Sequence, residues 1–378
     1  PLLLPEISGR FGHFCKMSYG TAIHPLKNVI IDSGLDSTLL SGTAPSVVVG
    51  VYHGTTAFAL AKVDIPQGPF SLAWNSAFIE QLLIMLPGGI VPVGVFSGAA
   101  DFSTLIEFFA EKSSIRCRRR SGPGGTSSTA ITVRKEPSLA KSLMLLTTSV
   151  FFSFDVQIGD PNCVEKAIRT ILDKAAPVLC EPTTKKRVLS AENNELASYL
   201  SSEVTNIEFL LSSFKTPSDE RREFVYTGTQ VGVAYILPRA TLWDGVIALK
   251  SDIAKSGSHR FQLCLQENQG SNSVVSEQET PLPRRVIIFH PDSQLRMSDY
   301  AFPDELEVEI NDRIQELLGV SNALRTFAEI SEKLRLPAPE NVPEPLLSST
   351  ITSISNFVCI IIAALPVIAA IAFMATVS

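Results

Sequence analysis

Hydrophobic positions in this 378-residue chain change period several times, and each change predicts an element. Val29–Asp32 and Ser46–Tyr52 are short runs rich in valine and isoleucine, which reads as strand. His53-Gly54-Thr55-Thr56 predicts a tight hairpin turn into a third strand over Ala57–Val63. From Ser71 the period lengthens. Trp74, Phe78, Leu82 and Met85 fall on one helical face, and Pro87-Gly88-Gly89 ends that helix. Ile90–Phe96 returns to strand, and Pro92 inside it predicts an edge or a bulge. Phe102, Leu105, Ile106 and Phe109 predict a second helix over Asp101–Lys112, and Arg116–Ser128 a basic Gly/Ser-rich loop. Ser138–Asp155 then predicts a pair of strands.

A second section begins at Pro161. Val164, Ile168 and Ile171 share a helical face, residues 181–193 form a polar linker, and Leu196–Phe214 predicts a further helix. Glu223–Leu237 is a strand, and Leu242, Val246, Leu249 and Ile253 mark a helix. Phe261–Leu265 and Val286–Phe289 are expected as strands. Pro303 opens a helix carrying Leu306, Ile310, Ile314 and Leu317, and Ser321–Leu334 adds a last one. The mixed order of elements predicts α/β architecture.

The end of the chain has no period at all. Phe357–Ala375 is a run of 19 residues without a charge. As a helix it is about 28 Å long, close to the hydrocarbon thickness of a bilayer. Phe357, Ile360, Ile361, Ile362, Leu365, Val367, Ile368, Ile371 and Phe373 carry most of its apolar surface. A transmembrane tail anchor is expected, with the head in the cytosol. Four prolines within Pro337–Pro345, followed by Ser and Thr, predict a stiff and then flexible spacer. The expected organisation is a lead-in over 1–28, α/β domains over 29–158 and 159–335, a Pro/Ser-rich linker over 336–356 and the anchor over 357–376. A surface protein processed to a lipid anchor also fits a polar spacer followed by a hydrophobic tail. None of the twelve asparagines lies in a glycosylation sequon, which favours a cytosolic body.

Composition narrows the chemistry. A net charge of -6 disfavours a general binder of phosphate backbones. The six cysteines are scattered, with no CxxC. The five histidines form neither HxH nor HExxH, and no nucleotide fingerprint or nucleophile elbow occurs. No cofactor or metal is expected. A nucleophile at Cys264, with His259 or His290 as base, is the one enzymatic alternative: a membrane-anchored cysteine hydrolase.

Two stretches carry a resemblance. Met85-Leu86-Pro87-Gly88-Gly89, continuing to Gly94-Val95-Phe96, and Arg285–His290 with Asp299-Tyr300 and Phe302, resemble segments of the odorant-response-abnormal protein four (odr-type) family. The resemblance implies an MPN-like N-terminal α/β domain without the metal-binding His-x-His, a second α/β domain and a C-terminal transmembrane helix. It further implies a non-catalytic, tail-anchored adaptor of the endoplasmic reticulum membrane. Such an adaptor would assist folding or trafficking of G-protein-coupled receptors and recruit a ubiquitin-fold-modifier-specific cysteine protease. Partner-facing residues are sought first at Trp74, Phe78, Phe102 and Phe109.

Overall fold

A computed structural model describes residues 26–42, 44–66, 72–96, 106–121, 127–156, 162–180, 186–192, 204–210, 224–270, 280–289, 295–318, 325–327 and 333–335. The chain divides into compact units over 1–337 and 338–378, and every described residue lies in the first. The expected linker and tail anchor lie outside the described residues, as does all but the end of the lead-in. No helix among the described residues is long and apolar enough to cross a membrane.

The first seven strands close into a barrel. They are β1 (Asn28–Asp32), β2 (Ser46–His53), β3 (Thr56–Asp64), β4 (Val91–Phe96), β5 (Ile106–Glu111), β6 (Ser114–Ser121) and β7 (Ser127–Glu136), in the order β1-β3-β2-β4-β5-β6-β7, with β1 also bonded to β7. The β2–β3 hairpin turns where the sequence predicts, through Gly54 at φ +58°. Pro92 coincides with a register shift between β2 and β4, so the bulge expectation holds although β4 is not an edge. Every barrel strand contributes to one interior core, including Val29, Val48, Ala59, Val93, Phe108, Ile115 and Ile131. Leu35 and Leu39 of α1 (Ser33–Ser41) join it. Asp32 caps α1, accepting from the Gly34 N–H at 2.8 Å and from the Ala140 N–H at 3.0 Å.

β2 and β3 are buried on both faces. Their outward residues Val47, Val49, Phe58 and Leu60 pack with Leu82 and Met85 of α2 (Leu72–Met85) into a second core. That core continues through a seven-stranded sheet. Its strands are β8 (Met144–Val156), β9 (Ala176–Cys180), β10 (Lys186–Val188), β11 (Val204–Leu210), β12 (Phe224–Ile236), β13 (Thr280–Pro281) and β17 (Lys333–Arg335), ordered β10-β9-β11-β8-β12-β17-β13. α3 (Cys163–Lys174) and α4 (Leu242–Gly270) supply Ile168, Leu172, Val246, Leu249, Ile253 and Phe261 to the same core. Three strands, β14 (Arg284–Phe289), β15 (Arg296–Ala301) and β16 (Arg325–Phe327), form a separate sheet, and α5 (Glu307–Leu318) follows β15. The boundary expected at 158/159 falls between β8 and α3, which share one core.

Several expected elements are corrected. The described part of 101–112 is strand β5, not helix. Ile106 and Phe108 face the barrel core, and Glu107 is held by Arg118 of β6, so pairing to β4 and β6 overrides a fortuitous helical spacing. Arg116–Arg120 belongs to a strand because Ile115 and Cys117 alternate inward between arginines. The strand pair over 138–155 is one 3-10 turn and one long strand. Within 196–214 the described part is β11, and within 321–334 it is β16 and the start of β17. Phe261–Leu265 is not a strand but part of α4, where Phe261 and Cys264 extend the buried row of Val246, Leu249 and Ile253. The sequence pattern does not predict α1 (Ser33–Ser41).

Phe108 lies at the barrel centre with no exposure. Phe108→Ala is expected to cost about 3–5 kcal/mol, read as a lowered urea midpoint at unchanged m-value.

Candidate functional site

β12 is paired with β8 along its whole length, but on its other side β17 reaches only Val225–Thr227. Farther along, no described strand lies beside it, and described side chains and one glycine meet its polar edge. Arg285 Nη1 donates to the Val231 carbonyl at 2.8 Å. The Val233 N–H donates to Asp252 Oδ2 at 2.9 Å. Gly88 then bridges the next step. Its N–H donates to the Val233 carbonyl, and its carbonyl accepts from the Tyr235 N–H, both at 2.9 Å.

The groups that do this come from three places in the sequence. Asp252 lies on α4, which starts behind a reciprocal cap. Thr241 Oγ1 accepts from the Asp244 N–H at 3.1 Å, and Asp244 Oδ2 accepts from the Thr241 N–H at 2.9 Å. Arg285 begins β14. Its guanidinium meets Asp252 in a two-pronged pair, at 2.7 and 3.0 Å, and its Nε donates to Ser298 Oγ of β15 at 2.8 Å. Asp252 is fully buried and Arg285 is 3% exposed. Gly88 follows α2. A Cβ there would lie 2.3 Å from the Ala248 carbonyl oxygen, so only glycine lets the turn approach α4. Gly89 has φ +83°.

One turn along α4 from Asp252, Lys255 caps the end of α2. Its Nζ donates to the Leu83 carbonyl at 2.9 Å and also to the Leu86 carbonyl. Burial brings its ammonium down to about 8, against the pull of Asp252 in the other direction. One turn farther, His259 lies against the Tyr300 ring, with centroids 5.1 Å apart. Burial, and then the positive charges of Lys255 and Arg260, hold its imidazole down at about 4. Ser256 Oγ and the Tyr300 hydroxyl are both buried without a hydrogen-bond partner among the described residues. Asp299 Oδ2 accepts from Arg313 of α5 through Nε at 2.9 Å and Nη2 at 2.8 Å, and Arg313 also holds Glu305. Burial nevertheless raises the Asp299 carboxyl above its ordinary value.

The two sequence segments singled out earlier therefore meet on α4. Met85 and Leu86 are core, Pro87 is buried, and Gly88 and Gly89 form the β12 bridge. Gly94, Val95 and Phe96 belong to β4. Asp299 and Tyr300 lie on β15, and the half-buried Phe302 follows it. Of the residues sought as partner-facing, Phe78 is 6% exposed and belongs to the core, which corrects that expectation. Phe109 is half-buried on β5 beneath the Arg118 guanidinium, 5.0 Å from its ring centre. The side chain of Trp74, and Phe102, lie outside the described residues. Cys264 is buried on α4, and His290 is not described.

Sequence reasoning did not find Asp252, Lys255 and Arg313. The available signal was a polar row at Asp252, Lys255, Ser256 and His259, spaced along one helical face. A helix marked only as far as Ile253 divides that row. Among the described residues, no group of three or more His, Cys, Asp or Glu side chains is placed to hold a metal ion. The arrangement acts as a polar joint between the barrel, the large sheet and the small sheet.

Breaking the pair from one side should be costly. Arg285→Met strands Asp252, and a loss of about 3–5 kcal/mol is expected in chemical denaturation. Replacing both partners with apolar residues should recover most of that loss. Acid should act through His259. The unfolded imidazole takes a proton near 6.5 and the folded one only near 4. Stability is therefore expected to fall as pH drops from 6.5 toward 4. His259→Gln should flatten that part of a Tm-against-pH curve relative to wild type.

No curated protein matches the sequence. Among solved structures, the crystal structure of UfSP from C. elegans resembles the chain with a TM-score of 0.45 and 11% identity, over 78% of this chain and 57% of that one. The chain thus spans little more than half the length of that protein. The polar joint, from β12 through α4 to β15, lies inside the region matched by a family model over residues 126–326, more than half of the chain, and on that match the protein belongs to the Odorant response abnormal 4-like (ODR4-like) family.

Proposed function

We propose that this protein is a non-catalytic, tail-anchored adaptor of the endoplasmic reticulum membrane. It recruits a ubiquitin-fold-modifier-specific cysteine protease and assists folding or trafficking of G-protein-coupled receptors. Membership of the ODR4-like family is the observation that carries this reading. In the same reading the N-terminal barrel is the family's MPN-like region, and the uncharged run Phe357–Ala375 is the transmembrane helix.

The physical logic needs no bond chemistry from the adaptor. A partner bound to a tethered head is confined near the membrane, where short flexible linkers give effective concentrations of about millimolar. The proline-rich and then Ser/Thr-rich stretch before the apolar run suits such a tether.

Full-length chain is expected in the carbonate-resistant membrane fraction of cells, and a chain ending at residue 355 in the soluble fraction. Quantitative affinity purification of the full chain should recover the modifier-specific protease in near-stoichiometric amount. Equal membrane retention of the truncated chain would remove the anchor from the proposal. Absence of the protease would remove its partner.

A further inference from the structure

α5 (Glu307–Leu318) buries one side only. Ile310, Ile314 and Leu318 sit in the core. Val308, Glu309, Asp312, Gln315 and Glu316 cover the opposite side at helical spacing, and all are exposed. Val308 is 66% exposed, and Leu306, just ahead of the helix, is 65% exposed. No other large apolar side chain among the described residues is as exposed.

The charge around them is one-sided. Asp304 to Glu316 holds six carboxylates and one arginine, a balance of -5 in a chain of -6. That arginine, Arg313, is taken up by Asp299 and Glu305. Asp304, Asp312 and Glu316 hold no ion pair among the described residues. Helix formation accounts for only part of this pattern. Acidic groups near the first turn suit the helix dipole, and Glu305 and Glu309 accept from the Phe302 and Leu306 N–H groups at 3.1 and 2.9 Å. Asp312 and Glu316 have no such role. They lie one turn apart on the same side and repel each other. Glu316 also stands toward the end of the helix, where the dipole favours a cation and no basic residue is present.

This face repels anionic lipid, nucleic acid and a second copy of itself. A partner with positive charge and apolar side chains relieves both costs at once, the carboxylate repulsion and the exposed leucine and valine. Cytosolic flanks of membrane helices are rich in lysine and arginine. We propose that the outer face of α5 docks a lysine- and arginine-rich amphipathic segment from the cytosolic flank of a client membrane protein. Apolar side chains of that segment cover Val308 and Leu306, and its cations meet Asp304, Asp312 and Glu316. The membrane source rests on the adaptor reading above, whereas the complementarity of charge and apolar surface does not.

The test is fluorescence anisotropy with the full chain in micelles of an uncharged detergent and three labelled peptides of about 18 residues. One carries leucine at helical spacing among lysine and arginine. The second has serine for leucine, and the third has glutamate for the cations. The first should bind, and the others at least about tenfold more weakly. Its affinity should fall with added salt. Asp312→Asn with Glu316→Gln, and separately Leu306→Ser with Val308→Ser, should each weaken it at least about tenfold without lowering Tm. No binding of the first peptide overturns the proposal. So does binding that either variant leaves unchanged, or a carboxylate variant with a lowered Tm, since those carboxylates are then structural. In cells, a single-span reporter with the first sequence on its cytosolic flank should co-purify with the full chain, and one with glutamine for its cations should not. Peptide binding without reporter capture overturns the membrane source. Failure of the adaptor reading is seen separately, as full-length chain in the soluble fraction, and leaves the peptide result standing.

Discussion

The edge of β12 is the constraint around which the rest is arranged. A strand edge inside a core presents carbonyl and amide groups that cannot be left unpaired. The usual answer is another strand, and among the described residues β17 provides one for three positions. From Val231 to Tyr235 the chain uses an arginine, an aspartate and a single glycine instead. Each comes from a different element, so closing this edge fixes α4, β14 and the end of α2 against β12 together. A buried ion pair contributes little net stability compared with apolar packing of the same volume. Its value here is geometric: Asp252 can satisfy Val233 only when Arg285 is in place to balance its charge.

Lys255 extends the same logic to a helix end. α2 finishes against α4, so its last carbonyls need donors there. The ammonium supplies two hydrogen bonds at the negative end of the helix dipole. The lowered proton affinity of Lys255 reflects the cost of keeping that charge out of water. Glycine completes the junction, because the turn after α2 comes too close to Ala248 for any side chain at Gly88. A cation, an ion pair and a glycine thus act as one device, and removing any of them exposes the polar groups the others satisfy.

Much of the barrel could be read from sequence because β1 to β4 are local. Their valine-rich runs and the His53–Thr56 turn carry the signal within a few residues. The failures have a common cause. Phe102, Leu105, Ile106 and Phe109 fit a helical spacing while Ile106 and Phe108 fit a strand, and only the partners β4 and β6 decide between them. Around Phe261 and Cys264 the error ran the other way, because alternating apolar residues in the middle of a 29-residue helix imitate a strand. The site was half legible. The glycines and the Asp299-Tyr300 pair could be picked out as motifs, but their meeting point on α4 could not. Asp252, Arg285 and Gly88 are far apart in the chain and become neighbours only through tertiary packing.

A joint of this kind has a consequence for binding. Surfaces held by buried hydrogen bonds and a packed core keep their relative positions, and little ordering entropy remains to be lost when a partner arrives. The barrel and the large sheet share a core through Val47, Val49, Leu82 and Leu249, and the polar joint secures that core at its edge. Arg239 adds a second link, reaching Glu136 of β7 at 3.2 Å while lying over the Phe58 ring. The barrel and the large sheet therefore meet a partner as one rigid body.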